Sequence, residues 1–376
     1  MSFISIYTMK MRPCQYRDLN SRQTFFRFTT FRLVLFMGLC GICVFASIWG
    51  LRFFYFFAGE GSTYVYRNGN LAVHFLDVGH GDCTIVQLPD DKVAVIDGGN
   101  DDGEYSYYPR VKKYLDQRIK PQNKHIDYLI NTHPHSDHLG GLVRIAQDYR
   151  VGTVYIADVP YPDKAMEAFA RAGSIEIFTD DTIIGNDIFE IRFYATAGGE
   201  EDANEASPII IIRYASQAFI ITGDAGFPTE KAFFECSIVQ QIYGQKGEYF
   251  AALTTYLKVG HHGSRYSTGN PDLDFNFLDF IKPDIAIISA GTASQILYNH
   301  PHPDTLARLA AHSCSVYLTR DDGNIVFQCA GDTVQTYFAF DHPPDLSFIW
   351  LVVFVSLIFC FVNFERCCKK SIVNVR

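Results

Sequence analysis

The stretch "THPHSDHLGG" places four potential metal ligands within six positions, 133–138. They are His133, His135, Asp137 and His138, in a chain of 376 residues that has only 12 histidines. Imidazole and carboxylate groups are the side chains that bind zinc and similar divalent ions. An ordinary polar loop rarely has this density of donors. The spacing therefore predicts a metal site, with enough donors for two ions.

A buried strand is expected to deliver this cluster. The segment "IDYLINT" has a strand pattern, and His133 and His135 follow it at alternate positions, so in an extended chain both rings point the same way. The two glycines after the cluster let the chain turn, so that Asp137 and His138 approach from another side. A helix is predicted to follow over residues 141–149.

The rest of the chain alternates strands and helices in two similar halves, each of which begins with hairpin-connected strands. This order predicts the α/β class, with two sheets packed face to face and helices outside, an αββα sandwich. Near the end, Cys314 and Cys329 flank "SVYLTRDDGNIVFQ", which predicts a hairpin around Asp322 and Gly323. Whether the two cysteines form a disulfide depends on the hairpin register and stays open.

Two long apolar runs without charge, "LVLFMGLCGICVFASIWGL" and "LSFIWLVVFVSLIFCFVNF", predict transmembrane helices at 33–57 and 346–364. The basic segments 1–32 and 365–376 place both ends in the cytoplasm, which makes 58–345 an extracytoplasmic domain. A cleaved signal peptide is the alternative for the first run, but the run is too long and no small-residue cleavage site follows it.

The region between the two runs is acidic, with 22 basic against 39 acidic residues and a net charge of −17. Such a surface repels long polyanions unless a local patch or a bound metal overrides the repulsion.

The motif "THPHSDHLGG" resembles the H-x-H-x-D-H motif of the metallo-β-lactamase superfamily. More narrowly, the chain resembles the exported hydrolase domain of ComEC-type competence proteins. The resemblance is carried by "FLDVGHGDCTIVQLPDDKVAVIDGG", "FIITGDAG", "LKVGHHGSRYST" and "NHPHPDTLARL", in that order. These stretches span most of residues 71–327, and they imply the metallo-β-lactamase fold and a metal-dependent hydrolase.

By motif match, the resemblance implies six metal ligands: His133, His135, Asp137, His138, Asp224 and His261. The first two would bind one ion, Asp224 would bridge both ions, and the others would bind the second ion. Asp97, in "IDGG", would orient a ligand histidine without binding metal itself. Asp137 and Asp97 are also catalytic candidates on this basis.

One departure concerns the first ion. Many members of the superfamily have a further histidine between the cluster and the bridging aspartate, but this chain has none between His138 and His261. Asn204, Glu205 or Ser207, in "DANEASPIIII", or a water molecule could take that position. Extra oxygen ligands favour manganese over zinc, so we expect two divalent ions, manganese or zinc.

Four residues are candidates for substrate binding: His80, His262, Ser264 and Thr268. The last three lie in "HHGSRYST", a glycine-containing loop whose hydroxyls and amides could hold a phosphate oxygen. ComEC-like domains usually have glutamine at the position of His80. His302, in "HPHP", is the candidate for protonating the leaving group.

The expected function is a membrane-anchored hydrolase that cleaves phosphodiesters outside the cytoplasmic membrane, such as single-stranded DNA. A role in DNA uptake requires a separate channel-forming partner, because two isolated helices cannot form a DNA pore. The alternatives are hydrolysis of a small ester or of a phosphorylcholine or lipid head group, and a non-catalytic membrane assembly factor.

Overall fold

A computed structural model describes residues 64–102, 106–194 and 202–339 of the chain. They lie in the second of two compact units, Ser62–Arg376. The segments 33–57 and 346–364, predicted to cross a membrane, are outside the described residues. Within the described ranges, no helix has the length and hydropathy needed to span a bilayer.

The first sheet contains strands from both ends of the described chain. Its strands are β1 (Leu71–Phe75), β2 (Thr84–Gln87), β3 (Val93–Ile96), β4 (His125–Ile130), β5 (Arg150–Ile156), β6 (Ser174–Ile177), β14 (Asn324–Ala330) and β15 (Thr333–Ala339). They are arranged in the order β15-β14-β1-β2-β3-β4-β5-β6. Strands β3 to β6 pair in parallel, so their carboxyl ends meet at one edge.

The second sheet is formed by the middle of the chain. Its strands are β7 (Ile183–Gly185), β8 (Phe189–Tyr194), β9 (Ile209–Tyr214), β10 (Gln217–Ile221), β11 (Thr254–Lys258), β12 (Ile285–Ile288) and β13 (Ser315–Leu318). They are arranged in the order β13-β12-β11-β10-β9-β8-β7, and β10 to β13 are parallel. Its parallel strands are short and mostly buried, as expected when both faces are covered.

The two sheets pack face to face through apolar side chains. Phe75 packs against Phe327 within the first sheet, and Phe327 contacts Phe219 of the second. Phe219 stacks on Tyr256 with ring centroids 4.2 Å apart. Aromatic side chains of this size contribute much of the apolar area that stabilises a core. The interface between the sheets is therefore the central layer of the fold.

Helices cover the outer faces of both sheets, which confirms the predicted αββα layers. The first sheet packs against α1 (Tyr108–Tyr114), α2 (Ser136–Asp148) and α3 (Asp163–Ala172). The second packs against α4 (Phe227–Glu235), α5 (Ser237–Tyr243) and α6 (Phe277–Ile281), and against Leu309 of a later helix. Three further helices follow: α7 (Thr292–Tyr298), α8 (Pro303–Ala311) and α9 (Thr319–Asp322).

Helix α2 begins five residues earlier than the sequence pattern predicts. It starts at Ser136, so Asp137 and His138 lie in its first turn, not in a loop. Gly141 lies within the helix, and a Cβ atom there would be 2.0 Å from the carbonyl oxygen of Gly98. The glycine is needed for this close approach between backbones, and not for a turn.

The predicted hairpin between Cys314 and Cys329 is wrong. Strand β13, which follows Cys314, belongs to the second sheet, whereas Cys329 lies in β14 of the first. Helix α9 connects the two strands, and both cysteines are free. A turn signal at Asp322 and Gly323 is local, and it cannot show that the chain passes from one sheet to the other.

Candidate metal centre

Side chains from the ends of four strands meet at one edge of the sandwich. Asp97 directly follows β3, and His133 lies three residues after the end of β4. In the second sheet, Asp224 and His261 each lie three residues after the ends of β10 and β11. The carboxyl ends of parallel strands are where binding sites form in α/β proteins.

Asp137, His138, Asp224 and His262 form the most compact group of donors. Their ligand atoms all lie within 4.8 Å of one another. Nε2 of His138 is 3.2 Å from Oδ1 of Asp224, and Nε2 of His262 is 3.2 Å from Oδ2 of Asp137. Two imidazoles and two carboxylates at this spacing match the ligand types of zinc, manganese and iron sites.

Two atoms of this group have no hydrogen-bond partner among the described residues. Oδ1 of Asp224 and Nε2 of His138 are both buried, and although they lie 3.2 Å apart as an ion pair, neither forms a directed hydrogen bond with a described residue. An unsatisfied buried polar atom is costly, and each such atom in a native fold needs a partner. A divalent ion is a partner that an imidazole lone pair and a carboxylate oxygen can share, so these residues fit a metal.

The two histidines are held with Nε2 facing the group. Nδ1 of His138 lies 2.8 Å from Oδ2 of Asp97, and Nδ1 of His262 lies 2.9 Å from the carbonyl oxygen of Ser289. In the neutral form of each ring, the proton on Nδ1 is donated to these acceptors, which leaves the Nε2 lone pair for an ion. Thr132 also donates to Asp97 from its amide and its hydroxyl, so the carboxylate is itself fixed.

The buried charges of the group stabilise each other. Burial opposes the charged form of His138, but Asp224, Asp97 and Asp137 together raise its pKa well above the ordinary value. Burial likewise opposes ionisation of Asp224, but His138 and the neighbouring histidines hold its pKa well below the ordinary value. The carboxylates therefore favour cationic partners, and an ion that binds here displaces protons.

A second set of donors surrounds the other oxygen of Asp224. Its Oδ2 lies 3.9 Å from Nε2 of His133 and 3.7 Å from Nε2 of His261. Nε2 of His133 is also 3.0 Å from Nδ1 of His135. His135 is exposed. Nε2 of His262 also lies 3.5 Å from this Oδ2, so Asp224 faces histidine nitrogens through both of its oxygens.

The tandem histidines differ in position from the sequence assignment. Motif matching placed His261 with Asp137 and His138, and placed His262 in the substrate loop, but the structure brings His262 into the four-donor group. Both residues have left-handed backbones, with φ of 45° and 52°. This conformation costs about 1–2 kcal/mol for each non-glycine residue, and such strain occurs mainly at functional sites.

Lys258 and Asp82 form a buried ion pair beneath the centre, which the sequence analysis did not identify. Lys258 is 1% exposed, and its Nζ contacts Oδ2 of Asp82 and donates to the carbonyl oxygen of Gly223 at 3.1 Å. Burial opposes ionisation of Asp82, but Lys258 and then His262 lower its pKa to about 2. The available signal was a lysine in the buried strand "TTYLK", because lysine is rarely buried without a partner.

His80 lies at the edge of the four-donor group. Its Nε2 is 3.2 Å from Oδ2 of Asp137, and its Nδ1 is 2.8 Å from Oγ of Ser294. The ring also stacks on Tyr298. Burial and then the nearby His262 lower the pKa of His80 to about 4. A neutral, 18% exposed imidazole beside Asp137 is placed to contact a bound substrate.

The other predicted substrate residues mainly hold the loop together. Thr268 is buried, and its hydroxyl accepts a hydrogen bond from the amide of Gly260 at 3.2 Å. The hydroxyl of Ser264 accepts one from the amide of Tyr266. Nδ1 of His302 accepts from the amide of Arg265. The buried His300 is closer to the centre than His302, because its ring lies 5.5 Å from that of His261.

Comparison with known proteins gives a family match over this region. The model of the metallo-beta-lactamase superfamily matches residues 76–291. ComE operon protein 3 of Bacillus subtilis (strain 168) is 27% identical over 274 residues, which are 68% of this chain and 33% of that protein. The chain thus spans about a third of the length of that relative.

Solved structures give weaker likenesses. The metallo-beta-lactamase fold protein YhfI from Bacillus subtilis is 14% identical, with a TM-score of 0.42, over 69% of this chain and all of that chain. CmlA, a diiron beta-hydroxylase from Streptomyces venezuelae, is also 14% identical, with a TM-score of 0.41, over 67% of this chain and 53% of that chain.

Proposed function

Because the chain belongs to the metallo-β-lactamase superfamily, we propose that it is a metal-dependent hydrolase of phosphodiesters that holds two divalent ions, manganese or zinc. The observation that carries the proposal is the buried group of Asp137, His138, Asp224 and His262, with two unsatisfied atoms. The six implied ligands and the orienting Asp97 are linked by short side-chain contacts at one edge of the sandwich.

The charge of the centre favours an anionic substrate. Once bound ions displace the protons of His138 and His262, Lys258 is the buried cation that faces four carboxylates, those of Asp82, Asp97, Asp137 and Asp224. Three negative charges therefore remain, and charges in a dry interior need compensation. Two divalent ions would leave one net positive charge, which suits a phosphodiester monoanion better than a neutral ester.

Divalent ions at such a centre supply Lewis-acid stabilisation of phosphoryl oxygens and lower the pKa of water. The residues of this chain hold the donors in place for that chemistry. Asp97 fixes the ring of His138, and the carbonyl of Ser289 fixes that of His262. His80, at the edge beside Asp137, contacts the substrate, and His302 protonates the leaving group from the loop side.

The proposed location is outside the cytoplasmic membrane, with both chain ends in the cytoplasm. Support comes from the sequence alone, through the apolar runs and their basic flanks. The net charge of −17 favours short or single-stranded substrates over long duplex DNA. A function in DNA uptake would need a separate channel-forming partner, and the membrane bilayer would be the other partner.

The test is hydrolysis by the full-length protein, purified in detergent, with manganese or zinc. We expect cleavage of bis-(p-nitrophenyl) phosphate and of single-stranded DNA. Asp224→Asn and His138→Ala should each lower the rate by about 10³-fold, because both remove an ion ligand. His125→Ala, at the start of β4 and so at the opposite strand end from the cluster, is the matched histidine control and should keep full activity.

Two results would contradict the proposal. The first is metal-dependent cleavage of a carboxylic ester, without cleavage of any phosphodiester. The second is phosphodiester cleavage that survives Asp224→Asn, since the activity would then come from another site or a contaminant. Cleavage of a phosphorylcholine ester and not of DNA would keep the reaction class and change the substrate to a lipid head group.

A further inference from the structure

We propose that His261 completes the donor set of the ion bound by His133 and His135, so that the tandem histidines serve different ions. His262 would then belong to the ion of Asp137 and His138. This inference rests on the two-ion part of the proposed function. It fills the position of the first ion for which the sequence has no histidine between His138 and Asp224. It also makes two neighbouring residues, His261 and His262, ligands of different ions.

The position of Asp224 carries the first step. Its Oδ1 is 3.2 Å from Nε2 of His138, so this oxygen faces the four-donor group. Its Oδ2 is 3.5 Å from Nε2 of His262, 3.7 Å from Nε2 of His261 and 3.9 Å from Nε2 of His133. Of the tandem pair, His262 also reaches Oδ2 of Asp137, at 3.2 Å, which places its ring with the four-donor group. Neither Nε2 of His261 nor Nε2 of His133 is within hydrogen-bonding distance of Oδ2 of Asp224. The space between this oxygen and the two nitrogens is therefore large enough for an ion.

The backbone explains how two neighbouring residues can do this. His261 and His262 are both left-handed, and their rings lie 6.0 Å apart at an angle of 78°. The amide of His261 donates to the carbonyl oxygen of Gly223, the residue before Asp224. This hydrogen bond fixes the tandem against the end of β10, which brings both rings near a single carboxylate.

The oxygen donors considered from the sequence are less suited to this position. Oγ of Ser207 lies 3.2 Å from Nδ1 of His133, on the opposite side of the ring from the Nε2 that faces Asp224. The same hydroxyl accepts from the amide of Asp224. The carboxylate of Glu205 accepts from the amide and the hydroxyl of Thr229, at the start of α4.

Asn204 is the remaining rival. Its Oδ1 is buried and has no hydrogen-bond partner among the described residues. The two candidates predict different chemistry, because three imidazoles suit zinc or iron, whereas an amide oxygen favours manganese. A comparison of the two single variants therefore decides between them.

The experiment is metal analysis of the full-length protein after loading with zinc and removal of free ions, with no substrate present. We expect two ions per chain in the unaltered protein and in Asn204→Ala, and one ion in His261→Ala, His133→Ala and His262→Ala. The double variant His133→Ala/His261→Ala should still bind one ion, because both changes affect the same site. The double variant His261→Ala/His262→Ala should bind none.

Several outcomes would overturn the inference. They are two ions retained in His261→Ala, a loss of one ion in Asn204→Ala alone, or a loss of both ions in His133→Ala/His261→Ala. His261→Gln serves as a second variant if the alanine form is unfolded by circular dichroism. A protein with two correctly assigned ions but no phosphodiesterase activity would disprove the proposed function and leave this inference intact.

Discussion

The two sheets supply donors to the metal centre through different local structures. The first sheet supplies His133, His135, Asp137 and His138 from one strand end and the first turn of the helix that follows. The second sheet supplies Asp224 after β10 and the strained tandem of His261 and His262 after β11. We call the donors from the first sheet the first side of the centre and those from the second sheet the second side. On the first side the donors are close together in the sequence, whereas on the second side Asp224 is far from the tandem in the sequence and the tertiary structure brings them together.

The two sides are also held in place differently. On the first side, Asp97 accepts several hydrogen bonds from the neighbouring strand end and orients His138 directly. On the second side, the buried pair of Lys258 and Asp82 lies beneath the centre, and Lys258 donates to the residue before Asp224. The first side is thus positioned by a local hydrogen-bond network, and the second by a long-range ion pair that joins the two sheets.

The sharpest test of this contrast is Lys258→Met. It leaves Asp82 as a buried charge without its cation, and breaking a buried pair in this way costs about 3–5 kcal/mol. We therefore expect the free energy of unfolding in denaturant to fall by about that amount. The double variant Lys258→Met/Asp82→Leu should recover most of the loss. Equal stability of the single variant and the unaltered protein would show that the pair does not hold the second side.

Asp97→Asn tests the first side and should have a smaller effect. The amide keeps the shape of the side chain but weakens the acceptor for Nδ1 of His138, and such changes lower metal affinity by about 10–100-fold. Competition with a chromophoric chelator measures the affinity. Asp90→Asn, a surface change on the β2–β3 turn, is the control. An unchanged affinity in Asp97→Asn would mean that the helix alone orients His138.

The smallest expected effect is on stability and involves Glu230, which holds the loop that carries the tandem histidines. Burial raises the pKa of Glu230 to about 8, and its two oxygens accept from the amides of Thr268 and Gly269. Because the folded pKa is above the ordinary 4.5, the contribution of Glu230 to stability is complete below about pH 4.5 and is lost as the pH rises towards 8.

Glu230→Gln should remove this pH dependence. We expect the stability of the unaltered protein to fall, relative to that of the variant, by about 1–2 kcal/mol between pH 5 and pH 8.5. The shift from 4.5 to about 8 sets the upper limit of this difference, since one pKa unit corresponds to about 1.4 kcal/mol. Thermal unfolding across this pH range measures the difference. Parallel pH profiles would show that Glu230 has an ordinary pKa.

The sequence identified the first side because its information is local. Four ligand residues in six positions need no knowledge of distant contacts, and the position of Asp97 after a buried strand follows from the order of the motifs. The layered α/β architecture was likewise predictable from the alternation of strands and helices. The start of α2 was missed, since Gly141 is required by its contact with Gly98 and Gly140 by its contact with Asp101, which are both remote in sequence.

The tertiary structure alone decided the second side. Which ring of the "HH" pair faces Asp137 depends on two left-handed backbone conformations that ordinary propensities do not predict. The role of Lys258 depends on Asp82, which is far from it in the chain and belongs to the other half of the sandwich. The physical reason is that residue type determines which ligand chemistry is available, whereas the direction of each donor is set by packing between elements that are distant in sequence.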